Sequence, residues 1–491
     1  MIKINPKSIE QKAVDGSIHT VYTEKRYLKM VKSADGTTKQ SKLSLAEVVA
    51  KRINAELNNG KHDPAHEISK QFLRKHFPAN VTDTDVEAYL VQNDLTDIIS
   101  SFWECVTKVW IYELQKEART NSKIKLSFPY VDPFNPKNQA EIQLITDIAE
   151  CLSRWNSIRA RVLETNGVKD RNKVVKKRIN IVREVINDQT LPFFDVIEKK
   201  DLDPNNTSNT AISNLSTFRT VKFHYHSHLY SKKGQNASSN TSKPPTQDTA
   251  LEILESIFDY DLLNGDPRHK LLSAFEVPVC PYCNRQYITL YRENKNEDRT
   301  TADLDHFYIK SIHPYLALSL YNFVPSCQIC NSRFKGDTDF YATPHLYPYT
   351  QKSNSLIKFS IHDPLILAHF QQQDQVSTLR KDMSSADAQR IISVCPTNSS
   401  DEQARNSIKT FHLEEVYQSH KDYVYDLLLK IHAYDDTKIQ ALYQEFPDLF
   451  KSEDEVRSLV FGQCPDSEDM LKQPLSKLTQ DLLALRTKGK E

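Results

Sequence analysis

A chain of 491 residues is too long for one ordinary core and implies roughly two to four domains; its 39% hydrophobic and 26% charged residues match a soluble globular protein. No stretch approaches the roughly 20 apolar residues of a membrane span, and Met1-Ile-Lys-Ile-Asn-Pro6 lacks the apolar core of a signal peptide. Membrane partners are therefore excluded and the cytoplasm is the expected location. Formal net charge is zero, from 64 basic and 64 acidic side chains, but basic residues gather in 3–75 and 154–183 and acidic ones from Asp401 onward. A basic face on a neutral chain remains compatible with polyanion binding.

Taken in chain order, residues 1–40 alternate modestly in polarity, and Ala34-Asp-Gly36 predicts the turn of a short hairpin. Ser44 and Glu47 form a capping-box pattern opening a helix that runs to Asn58, with Gly60 as its stop. A longer helix is expected from Asp83 to Glu117, with Leu90, Ile98, Phe102, Val106, Val109 and Trp110 as its apolar side. Residues 154–186 read as helix again, interrupted at Asn166-Gly167. Residues 201–249 are crowded with Asn, Ser and Thr and read as a polar linker, with a strand over 218–230. That strand would set His224, His226 and His228 on one face. No carboxylate or Cys partner accompanies them, so a polar strand face is favoured over a metal site.

Asp248 is placed to cap a helix ending near Leu263. Past Tyr349 the chain is polar, with one strand expected over 356–361. From Ala386 it reads as helical, the best helix covering 413–434 with Val416, Tyr423, Leu427, Leu428 and Ile431 at near-helical spacing. The expected class is α+β and mostly helical. Its domains are an α-rich N-terminal domain (1–200), the polar linker (201–249), a cysteine-bearing module (250–350) and a helical C-terminal domain (351–491).

Eight cysteines in a cytosolic chain do not suggest a disulfide framework, because that compartment keeps thiols reduced. Cys105, Cys151, Cys395 and Cys464 are scattered and read as core thiols. The other four form two tight pairs, Cys280-Pro-Tyr-Cys283 and Cys327-Gln-Ile-Cys330. Each C-x2-C pair can form a knuckle presenting two sulfurs to one ion, so together they predict a structural Zn²⁺ site. The spacer is long for a plain zinc finger, and it carries Asp303-Leu-Asp-His-Phe-Tyr-Ile-Lys-Ser311 and Leu320-Tyr-Asn-Phe-Val-Pro-Ser326. Asn331 follows the second pair at once, then Lys335-Gly336.

The order Asp-His, Asn, Cys-x2-Cys-Asn and Lys-Gly resembles the HNH (ββα-metal) endonuclease family in its zinc-stapled form, over residues 280–348. The resemblance implies a nuclease module in which His306, on the first strand of a hairpin, is the general base; imidazole accepts a proton near neutral pH. Asp305 would point to the other side of the backbone and, with Asn331 from the first turn of the following helix, ligate Mg²⁺ or Mn²⁺. A carboxylate and an amide oxygen suit such hard ions. Asn322 would brace the loop after His306. Lys335, with Lys310 and Arg285, would contact phosphate. Lys335 falls one residue later than the family spacing, and Ile309 stands where many relatives have Pro. His345 recurs in similar proteins without a derivable role.

The expected substrate is nucleic acid, with DNA favoured; beside such a module the basic run from Lys169 to Arg183 is either a solvated helix face or a phosphate track. Segments 411–430 and 459–482 resemble stretches that follow the module in bacterial HNH proteins of anti-phage defence or restriction. That implies an ATPase or regulatory partner subunit, and a homo-oligomer if both strands are cut. Two rivals stand beside this reading: a non-catalytic zinc module binding nucleic acid or a partner protein, and a nuclease aimed at RNA such as tRNA.

Overall fold

The computed structural model describes residues 9–12, 18–21, 27–28, 30–31, 43–120, 129–146, 249–294, 297–350, 355–362, 391–462 and 470–487. The helix expected over 154–186 with its basic run, the strand over 218–230 with its histidines, Ala34–Gly36, Asp248, Cys151 and Cys464 lie outside the described residues. So does most of the linker. The fold mixes helices with small sheets, and no described helix is long and apolar enough to cross a membrane.

Strands β1 (Ile9–Lys12) and β2 (Ile18–Val21) pair antiparallel, so a hairpin forms well before Ala34. Helix α1 (Leu45–Asn58) has the expected capping box, in which Ser44 Oγ accepts from Glu47 N and Glu47 accepts from Ser44 N. Its buried Leu45, Ala46, Val49, Ala50 and Ile53 follow helical spacing. Helix α2 (Pro64–His76) was not expected, although Asp63 caps it and Pro64 occupies its first turn.

The long helix expected from Asp83 is two: α3 (Asp83–Leu90) and α4 (Leu95–Thr120). Asp94 breaks it, because its side chain accepts from Asp97 N at 3.1 Å and starts a new helix. Helix α5 (Ala250–Ile257) is capped by Thr249 with Glu252 rather than by Asp248, and it ends before Leu263. A short 3-10 turn, Tyr260–Leu263, and α6 (Asp266–Phe275) follow.

Beyond α6 come hairpins β3 (Leu290–Asn294) with β4 (Glu297–Thr300), and β5 (Ala302–His306) with β6 (Phe323–Cys327). Strand β7 (Ile357–Ile361) pairs antiparallel with β8 (Ile392–Pro396). The latter corrects the reading of the chain as helical from Ala386: Ile391, Ile392 and Val394 are β-branched, and all three are buried. The remaining helices are α7 (Glu402–Thr410), α8 (Leu413–Tyr417), α9 (Lys421–Ala433), α10 (Asp436–Glu445), α11 (Glu453–Phe461) and α12 (Ser476–Thr487). The single helix expected over 413–434 is thus α8 and α9, with a 3-10 turn at Gln418–His420 between them. Of the scattered cysteines, Cys105 is buried as expected, while Cys395 is exposed and no core thiol.

The chain forms two compact units. One comprises Met1–Met30, Leu263–Phe307 and Phe323–Glu491; the other comprises Val31–Leu262 and Tyr308–Asn322. The second unit centres on aromatic rings. Tyr315, fully buried, lies 5.0 Å from Phe72 and 4.7 Å from Phe102, and Tyr89 donates its hydroxyl to the Tyr315 carbonyl at 3.0 Å. Residues 308–322 therefore serve as core for helices α2 to α4 rather than as a surface loop.

Candidate functional site

The first unit holds the four paired cysteines. Residues 278–288 form a tight knuckle, with Ile288 N donating to Pro278 O, Cys280 N to Gln286 O and Asn284 N to Cys280 O. Asn284 ends that turn at φ 50°, a left-handed conformation that Asn tolerates. Cys327 closes β6 opposite Ala302, and Cys330 lies one turn on. All four residues are buried, and their sulfurs lie within 4.8 Å of one another, a set that can hold a zinc ion. Tetrahedral bonds of about 2.3 Å would put sulfurs roughly 3.8 Å apart, so little movement is required. Burial pushes the Cys280 thiol up, which a divalent cation would reverse.

Strand β5 presents the acidic residues. Its register against β6 runs from Ala302↔Cys327 to His306↔Phe323, and alternation along the strand places Asp303 and Asp305 on one face and His306 on the other. The segment after β6 is a π-helix, Ile329–Lys335, closed by Gly336 N donating to Asn331 O at 3.0 Å. An i→i+5 turn accommodates one residue more than an α-helical turn, and Lys335 is the last residue of the segment. Gly336 ends it at φ 49°.

Strand and π-helix meet through two polar pairs. Asn331 Nδ2 donates to Asp303 Oδ2 at 3.0 Å, and Lys335 Nζ donates to Asp305 Oδ1 at 2.6 Å. The Lys335–Asp305 ion pair is almost fully enclosed, with side chains 2% and 5% exposed. Lys335 Nζ also donates to the His306 carbonyl and sits 5.0 Å from the Phe340 ring centroid. Burial pulls this ammonium down from its ordinary value, and Asp305 works against that shift. The other oxygen of Asp305 accepts from Tyr282 Oη at 2.6 Å. Burial, with the carboxylate beside it, pushes the Tyr282 phenol well up, so it stays a donor.

Aromatic rings floor both donors. Tyr282 stacks on Phe411 at 4.5 Å and 17°, and Phe411 meets Phe340 edge-on at 6.1 Å. Phe340 in turn stacks on His345 at 3.8 Å. His345 Nδ1–H donates to the Thr343 carbonyl and its Nε2 lies 2.7 Å from Thr410 Oγ1, while burial lowers it to about 4. A neutral packing role follows for a residue whose role the sequence left open. His306 is 8% exposed, with its ring 5.1 Å from that of Phe323.

Asn322 braces the loop after His306 as expected, while Arg285 and Lys310 have partners of their own. Arg285 is engaged with the C-terminal helices: Nε donates to His420 Nε2 at 2.9 Å, and a terminal nitrogen to Ser419 Oγ at 3.2 Å. Burial and Arg285 hold His420 below its ordinary value, consistent with a neutral acceptor. Lys310 and Asn322 belong to the second unit. Lys310 is exposed, with Nζ 4.6 Å from the Tyr260 ring centroid. Asn322 is fully buried; its Oδ1 accepts from Tyr308 N at 2.7 Å and its Nδ2 donates to the carbonyls of Tyr308 and Leu316. This amide ties the two ends of the 308–322 segment together.

Sequence reasoning missed Tyr282 and Asp303. The signal for Asp303 was its i−2 relation to Asp305, which puts both on one strand face. Tyr282 carried only the hint of an aromatic inside a metal knuckle. Comparison of the chain with protein-family models, with curated proteins and with solved structures finds no match.

Proposed function

We propose that the chain is a metal-dependent endonuclease that hydrolyses phosphodiester bonds in nucleic acid, with DNA favoured. The observation that carries this reading is the assembly on β5. Two carboxylates share one strand face, Asp303 accepting from the π-helix amide of Asn331 and Asp305 from Lys335; an imidazole stands on the next residue, and four buried sulfurs cluster where the strand end meets the helix start. A zinc ion held by the four thiolates would add a fastening between strand and helix to the aromatic packing beneath them.

Asp305 and Asn331, with Asp303 beside them, offer hard oxygens that fit Mg²⁺ or Mn²⁺. The hydrogen bonds Asp305 already accepts do not exclude this, since each carboxylate oxygen has a further lone pair and ligating carboxylates are ordinarily hydrogen-bonded from outside. Such an ion, when bound, offsets charge on the phosphate and the departing 3′ oxygen. His306 takes the proton of the attacking water, and Lys335 holds the His306 backbone through its carbonyl. The buried Lys335 ammonium acts here on Asp305 rather than on phosphate.

A second reading has its own observation. Both oxygens of Asp305 are engaged, by Lys335 and Tyr282, as in a structural polar core. A zinc module that binds nucleic acid or a partner protein without cleaving follows from that. The test is cleavage of supercoiled plasmid and of bulk tRNA with Mg²⁺ or Mn²⁺, comparing wild type with His306→Ala. Metal-dependent cleavage lost in the variant supports the nuclease, and the substrate cut separates DNA from RNA. Zinc at one per chain with neither substrate cut, even with cell extract supplying a regulatory subunit, replaces it with the binding module.

A further inference from the structure

Each acidic side chain of β5 is hydrogen-bonded by the sequence neighbour of a clustered cysteine. Asn331 follows Cys330 and donates to Asp303; Tyr282 precedes Cys283 and donates to Asp305. One contact comes from each cysteine pair. The Tyr282 contact is the shorter, at 2.6 Å, and Tyr282 is fully enclosed. Its ring is held from below by Phe411, which rests on the same Phe340 that underlies Lys335. The two donors that clamp Asp305 therefore share one aromatic floor, and the chain entering and leaving Tyr282 is fixed wherever Cys280 and Cys283 are fixed.

We infer that Tyr282 is a positioning residue through which the four-cysteine zinc site sets the affinity of Asp305 for its divalent ion. The inference rests on the metal assignment proposed above. A carboxylate free to rotate presents either oxygen in many directions; one held by the phenol at Oδ2 and the ammonium at Oδ1 offers its remaining lone pairs in one. Zinc bound by Cys280 and Cys283 keeps the phenol in place. Loss or distortion of that cage moves the phenol and leaves Asp305 held by Lys335 alone, so the two metal sites are thermodynamically coupled.

The test is Mn²⁺ titration calorimetry on the full chain without nucleic acid, with zinc content and Tm measured alongside. Tyr282→Phe keeps the ring on Phe411 and removes only the hydroxyl. The expected result is zinc still at one per chain, Tm nearly unchanged and Mn²⁺ bound about tenfold more weakly, as for other outer partners of metal ligands. Asp305→Asn should abolish the same binding. Should Tyr282→Phe not fold, wild type carrying Cd²⁺ in the cysteine cage provides the second measurement. The larger ion shifts the sulfurs, and Mn²⁺ affinity should fall several-fold.

Unchanged Mn²⁺ affinity in Tyr282→Phe, with binding lost in Asp305→Asn, overturns the inference and leaves the nuclease reading standing. Unchanged affinity in the Cd²⁺ form has the same meaning. Unchanged binding in Asp305→Asn removes the metal assignment and the inference together.

Discussion

Replacing Lys335 by Met probes the most enclosed charge in the cluster. Its ammonium and the Asp305 carboxylate are 2.6 Å apart with side chains 2% and 5% exposed, so neither has water to fall back on. Methionine fills much of the lysine stem above Phe340, which limits the cavity. What is lost is the counter-charge of Asp305 and one donor to the His306 carbonyl. Breaking one side of a buried pair costs about 3–5 kcal/mol, a range that takes in the contacts the removed charge made, here the bond to the His306 carbonyl. The retained Tyr282 bond to Oδ2 keeps the total near the lower figure, about 3 kcal/mol. In the double variant Lys335→Met/Asp305→Asn no orphaned charge remains, and at least half of the loss should return. The assay is urea unfolding of the zinc-loaded chain followed by zinc release into a chromogenic chelator, which reports on the unit holding the cysteines. A loss below about 1 kcal/mol in the single variant, or a double variant as unstable as the two singles summed, would refute the reasoning.

Two further outcomes are expected. Asn322→Ala removes a fully buried amide with three hydrogen bonds and leaves the Tyr308 N–H and two carbonyls without it. Thermal unfolding should show a loss of about 3 kcal/mol or more, and a shift within error would mean that the 308–322 segment is not held through this residue. His345 is lowered to about 4 by burial, below its free-chain value of about 6.5. Between those values the unfolded chain binds a proton that the folded chain does not, so stability falls as pH drops from about 6.5 to about 4. His345→Asn should flatten urea midpoints across that window relative to wild type; an equally steep pH dependence would remove His345 as its source.

Features of the site written into adjacent residues were legible in the sequence. Ser44 with Glu47 marked the start of the helix Leu45–Asn58, because a capping box is a contact across three positions. The cysteine pairs likewise announced their own cluster. Legibility stopped where a contact spans the chain. Tyr282 matters because Phe411 lies under it and Asp305 beside it, and neither neighbour is implied by Cys-Pro-Tyr-Cys. Arg285 read as a phosphate ligand, yet its partner His420 is 135 positions away. The break at Asp94 failed for a different reason: the apolar periodicity continues through it, and only the competing side-chain cap interrupts the backbone.

The knuckle around Cys283 also ties the site to the order in which the chain is made. Tyr417 donates to the Cys283 carbonyl at 2.7 Å, and Asn284 accepts from Leu475 N and Lys477 N while donating to Met470 O. The farthest of these partners is 193 positions downstream. At about 5–20 residues per second, a ribosome needs roughly 10–40 s to deliver them after the first cysteine pair has emerged. Throughout that interval the nascent knuckle has its thiols but lacks the full set of contacts that Tyr417, Met470, Leu475 and Lys477 bring to it. The knuckle and the start of helix α12 thus reach their final setting only late in synthesis, after most of the polypeptide has been made.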